Sequence, residues 1–272
     1  MKEFIQDLSL LIAKVRETSP LIHSITNNVT VNDCANIILA IGASPIMADD
    51  ENEMEDIVRL SSALVLNLGT LNNNTIRAMI KAGKAANKLG IPIVLDPVGA
   101  GASTLRNSTV DSLFSQLSID IVRGNLSEIS YTAGLQVATK GVDASPSDYD
   151  KDGIAVAQTV SNKYHCVTVI TGAQDIISDG KRTVVIHNGN PMMSRVTGTG
   201  CMATALTGAF AGISKSMFSA AVVSIAVMGI AGELAYDIAG SKGTASFRTA
   251  LIDSVSCMDA STFVKKVRIL EK

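Results

Sequence analysis

The chain has 272 residues, 47% of them hydrophobic and 18% charged, with a formal net charge of -2 and no Trp. That is too apolar for a disordered chain, and 23 Lys plus Arg against 25 Asp plus Glu leave no electrostatic footprint for nucleic acid. The length suits one α/β domain over residues 1–272.

The first segment places a short apolar run, 8–13, among Glu3, Asp7, Lys14, Arg16 and Glu17. That pattern is amphipathic and reads as no signal peptide, so the expected location is cytoplasmic. Short β-branched runs then predict strands over 21–26, 45–47, 63–68, 91–95, 119–123, 166–170, 175–178 and 183–187. Helical patterns fall between them, near 28–41, 50–60, 72–89, 105–117, 126–135 and 149–163. Ile91-Pro92-Ile93-Val94-Leu95 is apolar on both faces, as a mostly parallel sheet covered by helices requires. The stretch 141–149, with Pro146, two Ser and two Asp, reads as a surface loop.

The last third is nearly all helical: two apolar stretches from 201 to 239, broken near 214–216, and a further pattern over 245–258. Its run 218–232 is too short for a membrane span and is diluted by Ser219, Ser224, Gly229 and alanines, so it reads as a tightly packed core helix. No membrane partner is expected. The four cysteines, Cys34, Cys166, Cys201 and Cys257, form no CxxC pair, and each reads as a buried apolar thiol. Met192, Met193, Met202, Met217 and Met228 read as core filler, and His23 as a strand residue with a satisfied ring.

In open parallel sheets ligands bind beyond the carboxyl ends of the strands. Those ends carry Asn27, Met47, Asn67, Asp96, Arg123-Gly124-Asn125, Thr171 and Gly198-Thr199-Gly200. Gly198-Thr199-Gly200-Cys201 opens a long helix, where consecutive backbone N–H groups can converge on an anion; a tight turn with close helix packing is the other reading. Gly198, Gly200 and Ala203 also fit G-x-G-x-x-A, but the next acidic residue is Glu233, too distant for a dinucleotide fingerprint. No Walker A motif is present. Asn125 and Glu128 have the spacing of a capping box. Asp96 ends the most apolar strand, where an ionised carboxylate is costly without hydrogen bonds or a neighbouring cation.

Asn125-x-x-Glu128 after a mid-chain strand, with Gly198-Thr199-Gly200 opening a later helix, resembles the ribokinase-like superfamily. Further segments narrow the likeness: Pro20 to Asn27, Gly42 to Met47, Asn67 to Thr70, Asp96 to Ala102, Arg123 to Glu128 and Val196 to Cys201. Together they resemble the hydroxyethylthiazole kinase family, from about residue 18 to 268. The resemblance implies a three-layer ribokinase-like fold and transfer of the ATP γ-phosphoryl group to the primary alcohol of 5-(2-hydroxyethyl)-4-methylthiazole, a step of thiamine biosynthesis and salvage. It implies an anion hole from the backbone of Gly198, Thr199, Gly200 and Cys201, and Mg²⁺ oriented by Asp96 and Glu128. Arg123, Thr171 and Asn125 then fall to the nucleotide, and Asn27, Met47 and the Gly198 backbone to the thiazole. Sugar kinases of the superfamily carry Asp where Cys201 stands, which leaves Cys201 either an assisting base or a space-filling residue. A homotrimer with active sites between subunits is also implied. Two other classes stay open: an ADP- or ATP-dependent lyase of the NAD(P)HX dehydratase type, which expects Asp at position 201, and a non-catalytic nucleotide-binding regulator.

Overall fold

The computed structural model describes residues 1–135 and 146–272. Six strands run in parallel, β1 (Leu21–Ile25), β2 (Ser44–Ile46), β3 (Ala63–Asn67), β4 (Ile93–Asp96), β5 (Ile121–Asn125) and β6 (Val167–Thr171). Three more add on in antiparallel fashion: β7 (Asp175–Ser178), β8 (Thr183–Ile186) and β9 (Ile269–Glu271). The order across the sheet is β2-β1-β3-β4-β5-β6-β7-β8-β9. With β1 between β2 and β3, the winding reverses there, which creates the switch point where such sheets open a crevice.

Why the strands are apolar throughout is visible in β3. Ala63 and Val65 pack into one helix layer while Leu64 and Leu66 pack into the other, so period-two alternation gives two buried faces. One layer holds α1 (Lys2–Thr18), α2 (Val31–Ile41), α8 (Thr199–Ala211), α9 (Met217–Ala239), α10 (Thr244–Ser256) and α11 (Ala260–Lys266). The other holds α3 (Met54–Leu60), α4 (Asn73–Leu89), α5 (Thr104–Gln116), α6 (Leu126–Ala133) and α7 (Pro146–Tyr164). This is the three-layer architecture expected, with a helical final third.

Close approach explains the small residues of α8. A Cβ on Gly208 would collide with Val65 of β3 and crowd Ile22 of β1, so the helix backbone rests directly on the sheet. The segment Met217–Lys242 is long and apolar enough to cross a membrane, yet 78% of its most apolar window is buried within the protein. It packs against α8 and α10 as a core helix.

Several expectations are corrected. β9 lies beyond the elements read from the sequence; it is a short edge strand whose pairing with β8 comes from the tertiary fold, beside an Arg268–Glu233 ion pair of 2.5 Å. Of the expected loop over 141–149, residues 141–145 lie outside the described residues, and Pro146–Tyr149 belongs to the first turns of α7. Cys34 and Cys166 are buried, but Cys257 is exposed at the end of α10 and Cys201 is half-buried.

Candidate active site

The register of the sheet sets the first pair, since Asn67 and Asp96 are directly opposed at the ends of β3 and β4. Asp96 is 1% exposed, and its Oδ2 accepts from Asn67 Nδ2 at 2.9 Å and Thr204 Oγ1 at 2.7 Å. Arg123 Nη1 lies 3.7 Å from the same oxygen. Burial pushes the carboxyl up to about 6, and Glu128 adds to that, while Arg123, Thr204 and Asn67 pull it down. Oδ1 has no hydrogen-bond partner at all.

The same register aligns Asn125 with Thr171 at the ends of β5 and β6. Arg123, two residues earlier on β5, donates from Nη2 to Thr171 Oγ1 at 2.6 Å, and its Nε is buried without a partner. Asn125 caps α6 in a reciprocal box: Glu128 N–H donates to Asn125 Oδ1 at 2.9 Å, and Asn125 N–H donates to Glu128 Oε2 at 2.8 Å. Glu128 Oε1 accepts from Gly99 N–H at 2.8 Å, so this carboxylate also ties the loop after β4 to α6.

Gly198 has φ of 88° and caps α8 without a side chain. A Cβ there would come within 2.6 Å of Thr30, and one on Gly200 within 2.8 Å of Arg123 Nη1, so the turn sits tightly between two neighbours and at Gly198 its positive φ also favours glycine. A cleft of about 510 Å³ opens beside it, lined by Arg123, Thr171, Asp175, Asn190, Thr199 and Gly200 on its polar side and Met193, Ile225 and Met228 on its apolar side. Met193 and Met228 thus line a ligand-sized space rather than filling core alone. Burial pushes the Asp175 carboxyl up to about 7, against the pull of Gly172 N–H and Arg123.

Cys201, next in line, points instead toward Asn27 and Asn67, whose Nδ2 atoms lie 3.1 Å and 3.4 Å from its sulfur. Asn27 is 5% exposed and its amide is fully engaged: Oδ1 accepts from Thr30 N–H and Oγ1, and Nδ2 also donates to Asn67 Oδ1 at 3.0 Å. Met47 follows β2 and is half-buried against the large core. Its neighbour is pinned by His23, whose Nε2 donates to Ala48 O at 2.9 Å. The ring is only half satisfied, however, because Nδ1 has no partner, and burial lowers its pKa and keeps it neutral.

The strand ends therefore bring Asn27, Asp96, Arg123, Thr171 and the Gly198–Cys201 turn together through direct contacts or shared neighbours, with Glu128 just behind. Two contributors, Thr204 and Arg106, carry no signature in the sequence, and Asn67, read there only as a strand-end residue, has a role the sequence did not assign. Thr204 reaches Asp96 from one turn into α8, Asn67 joins four partners, and Arg106 donates to Leu68 O, Gly69 O and Val98 O, clamping the loops after β3 and β4. Among the described residues no three His, Cys, Asp or Glu side chains form a closed metal site. Asp96 Oδ1 is nonetheless an acceptor without a donor, and Glu128 keeps further lone pairs beyond its two backbone bonds. Such carboxylates fit an ion held mainly by water and phosphate.

A family model described as the Hydroxyethylthiazole kinase family matches residues 12–261. The hydroxyethylthiazole kinase of Ruminiclostridium cellulolyticum is 57% identical over 272 residues, 100% of both chains, and that of Clostridium beijerinckii is 55% identical over 264 residues, 96% of each. The solved structure of hydroxyethylthiazole kinase from Pyrococcus horikoshii superposes with a TM-score of 0.89 at 37% identity, covering 98% of this chain and 99% of that one. Pyridoxal kinase from Staphylococcus aureus, at 14% identity and a TM-score of 0.61 over 79% of this chain and 87% of that one, shares the fold.

Proposed function

The chain belongs to the hydroxyethylthiazole kinase family, and we propose that its site moves the γ-phosphoryl group of ATP onto the primary hydroxyl of 5-(2-hydroxyethyl)-4-methylthiazole. It is a phosphotransferase. Relatives that bear the kinase name over their full length favour neither a dehydratase-type lyase nor a silent regulator.

The observation that carries the reading is that one turn has two working sides. Gly200 faces the cleft with Arg123 and Thr171, while Cys201, bonded to it in the chain, faces Asn27 and Asn67. ATP occupies the cleft, its phosphates beside Arg123, Thr171 and Asn125; its adenine end meets the Met193, Ile225 and Met228 wall. The thiazole alcohol lies on the Cys201 side, against Asn27, Met47 and the Gly198 backbone. Its hydroxyl oxygen attacks the γ-phosphorus, the bond from that phosphorus to the bridging oxygen of ADP breaks, and the hydroxyl proton passes to Cys201 Sγ in its thiolate form, leaving the thiol. The transition state is loose, with charge spread over phosphoryl oxygens, so backbone N–H groups of Gly198 to Cys201 and the helix terminus supply most of the stabilisation. Little proton removal is needed early, which suits a cysteine thiolate as an assisting base.

Asp96 and Glu128 would hold Mg²⁺ through water, and when bound the ion neutralises phosphate oxygens. Asp96 Oδ1, free of partners, is the acceptor that supports this assignment. We further assign a cytoplasmic homotrimer whose sites lie between subunits.

Thiazole-dependent release of ADP tests the reaction; its absence with folded protein would remove the assignment. Cys201→Ala tests the base, because general-base catalysis is worth roughly 10²-fold or more, and a loss under about tenfold would leave Cys201 a space-filling residue.

A further inference from the structure

Asn67 is buried at the end of β3, and every polar atom of its amide is engaged. Gly69 N–H donates to Oδ1 at 2.9 Å, and because a backbone N–H can only donate, that contact fixes which end of the amide is oxygen. Nδ2 therefore faces the other way, donating to Asp96 Oδ2 at 2.9 Å and lying 3.4 Å from Cys201 Sγ. Asn27 is fixed by the same logic: Thr30 N–H donates to its Oδ1 at 3.1 Å, so its Nδ2 turns to Asn67 Oδ1 and Cys201 Sγ. Two backbone N–H groups thus dictate that the sulfur meets two amide donors, and one side chain joins that sulfur to the buried carboxylate.

We infer that Asn67 is a positioning residue for phosphoryl transfer, holding Cys201 Sγ and Asp96 Oδ2 in one fixed geometry between the Gly198–Cys201 turn and the end of β4. It acts through those two groups. The inference rests on the reading of Cys201 as assisting base. Its weight comes from geometry, since a misplacement of about 1 Å in a catalytic arrangement can cost about 10²-fold in rate.

Asn67→Asp is the informative variant. It keeps the shape and both acceptor contacts, to Asn27 and Gly69, but has no N–H to give and sets a second carboxylate beside Asp96. The expected result is a fall in kcat of at least about tenfold with KM for the thiazole alcohol within about threefold of the parent. Alkylation of Cys201 by iodoacetamide, read by peptide mass spectrometry so that exposed Cys257 is counted separately, should also slow at least about threefold, because a like charge beside the sulfur disfavours thiolate. A kcat within about twofold of the parent, or an unchanged alkylation rate at Cys201, overturns the assignment. If Asn67→Asp does not fold, Asn67→Ser, which loses the reach to both partners and adds no charge, is judged on the fall in kcat with KM held. Cys201→Ala run alongside separates the premises: near-parental turnover there removes the base, whereas a parental alkylation rate in Asn67→Asp removes the role of Asn67 alone.

Discussion

Asn27 Nδ2 and Cys201 Sγ lie 3.1 Å apart although 174 positions separate them in the chain. The contact leaves Asn27 no spare polar atom, so its amide holds the sulfur and the Thr30 turn on the side proposed for the thiazole. Asn27→Ala would leave the buried Thr30 hydroxyl without its acceptor and Asn67 Oδ1 with Gly69 N–H alone, and an unpaired buried group costs about 1–3 kcal/mol. Chemical denaturation should read a loss of that size; a change under about 0.5 kcal/mol would mean water replaces the amide freely.

Gly198 and Gly200 should fail differently when each is replaced by Ala. At Gly198 both φ of 88° and a Thr30 methyl 2.6 Å from the new Cβ oppose the side chain, and Thr30 is itself held by Asn27. Gly198→Ala should lose about 1–3 kcal/mol of stability along with activity. At Gly200 the obstacle is the far end of Arg123, which can swing away. Gly200→Ala should stay folded with an intact thermal midpoint and a raised KM for ATP. Equal stability losses in the two variants would contradict this contrast.

How much of this was legible beforehand depends on whether a contact has a sequence period. The alternation in β3 and the run Ile93-Val94-Leu95 announce a doubly covered sheet, and Asn125 with Glu128 announces a cap, because each is a local pattern. The glycine turn before α8 was legible for the same reason. Thr204 bonding Asp96 across 108 positions and Asn67 bonding Cys201 across 134 have no period, and only the packed sheet defines them. His23 shows a subtler limit: its burial follows from the strand, but the unpaired Nδ1 depends on what the opposite layer presents. β9 was invisible because Leu270 and Glu271 are exposed and pair only where β8 offers an edge.

Arg106 makes a prediction about the loops rather than the reacting groups. Its guanidinium donates to carbonyls on both sides of the β3–β4 seam, at 2.8 Å to Gly69 O and 2.6 Å to Val98 O, with Leu68 O as a further partner. Gly99, adjacent to Val98, is the residue that bonds Glu128. Arg106→Met keeps much of the aliphatic stem but strands the carbonyls, and should cost about 2–3 kcal/mol. Amide hydrogen exchange should quicken at Gly69 and Gly99 in particular; uniform exchange across the chain would show that the clamp is not local.

Asp175 makes the pH dependence of stability testable. Its carboxyl rises from an ordinary 3.8 to about 7, burial outweighing the opposing pull of Gly172 N–H and Arg123. A folded value above the unfolded one means that the native state favours the protonated acid. The stability this contributes is fully present below the unfolded value and is lost as pH rises through about 7. Asn at this position still offers Oδ1 to Gly172 N–H, a 3.1 Å contact in the parent, but never ionises. Thermal midpoints of the parent and Asp175→Asn should therefore lie closest near about pH 4 and separate as pH rises to about 8, the variant becoming the more stable partner. A constant gap across that range would mean that Asp175 is charged in the folded chain throughout and that cleft water, rather than the protein, sets its ionisation.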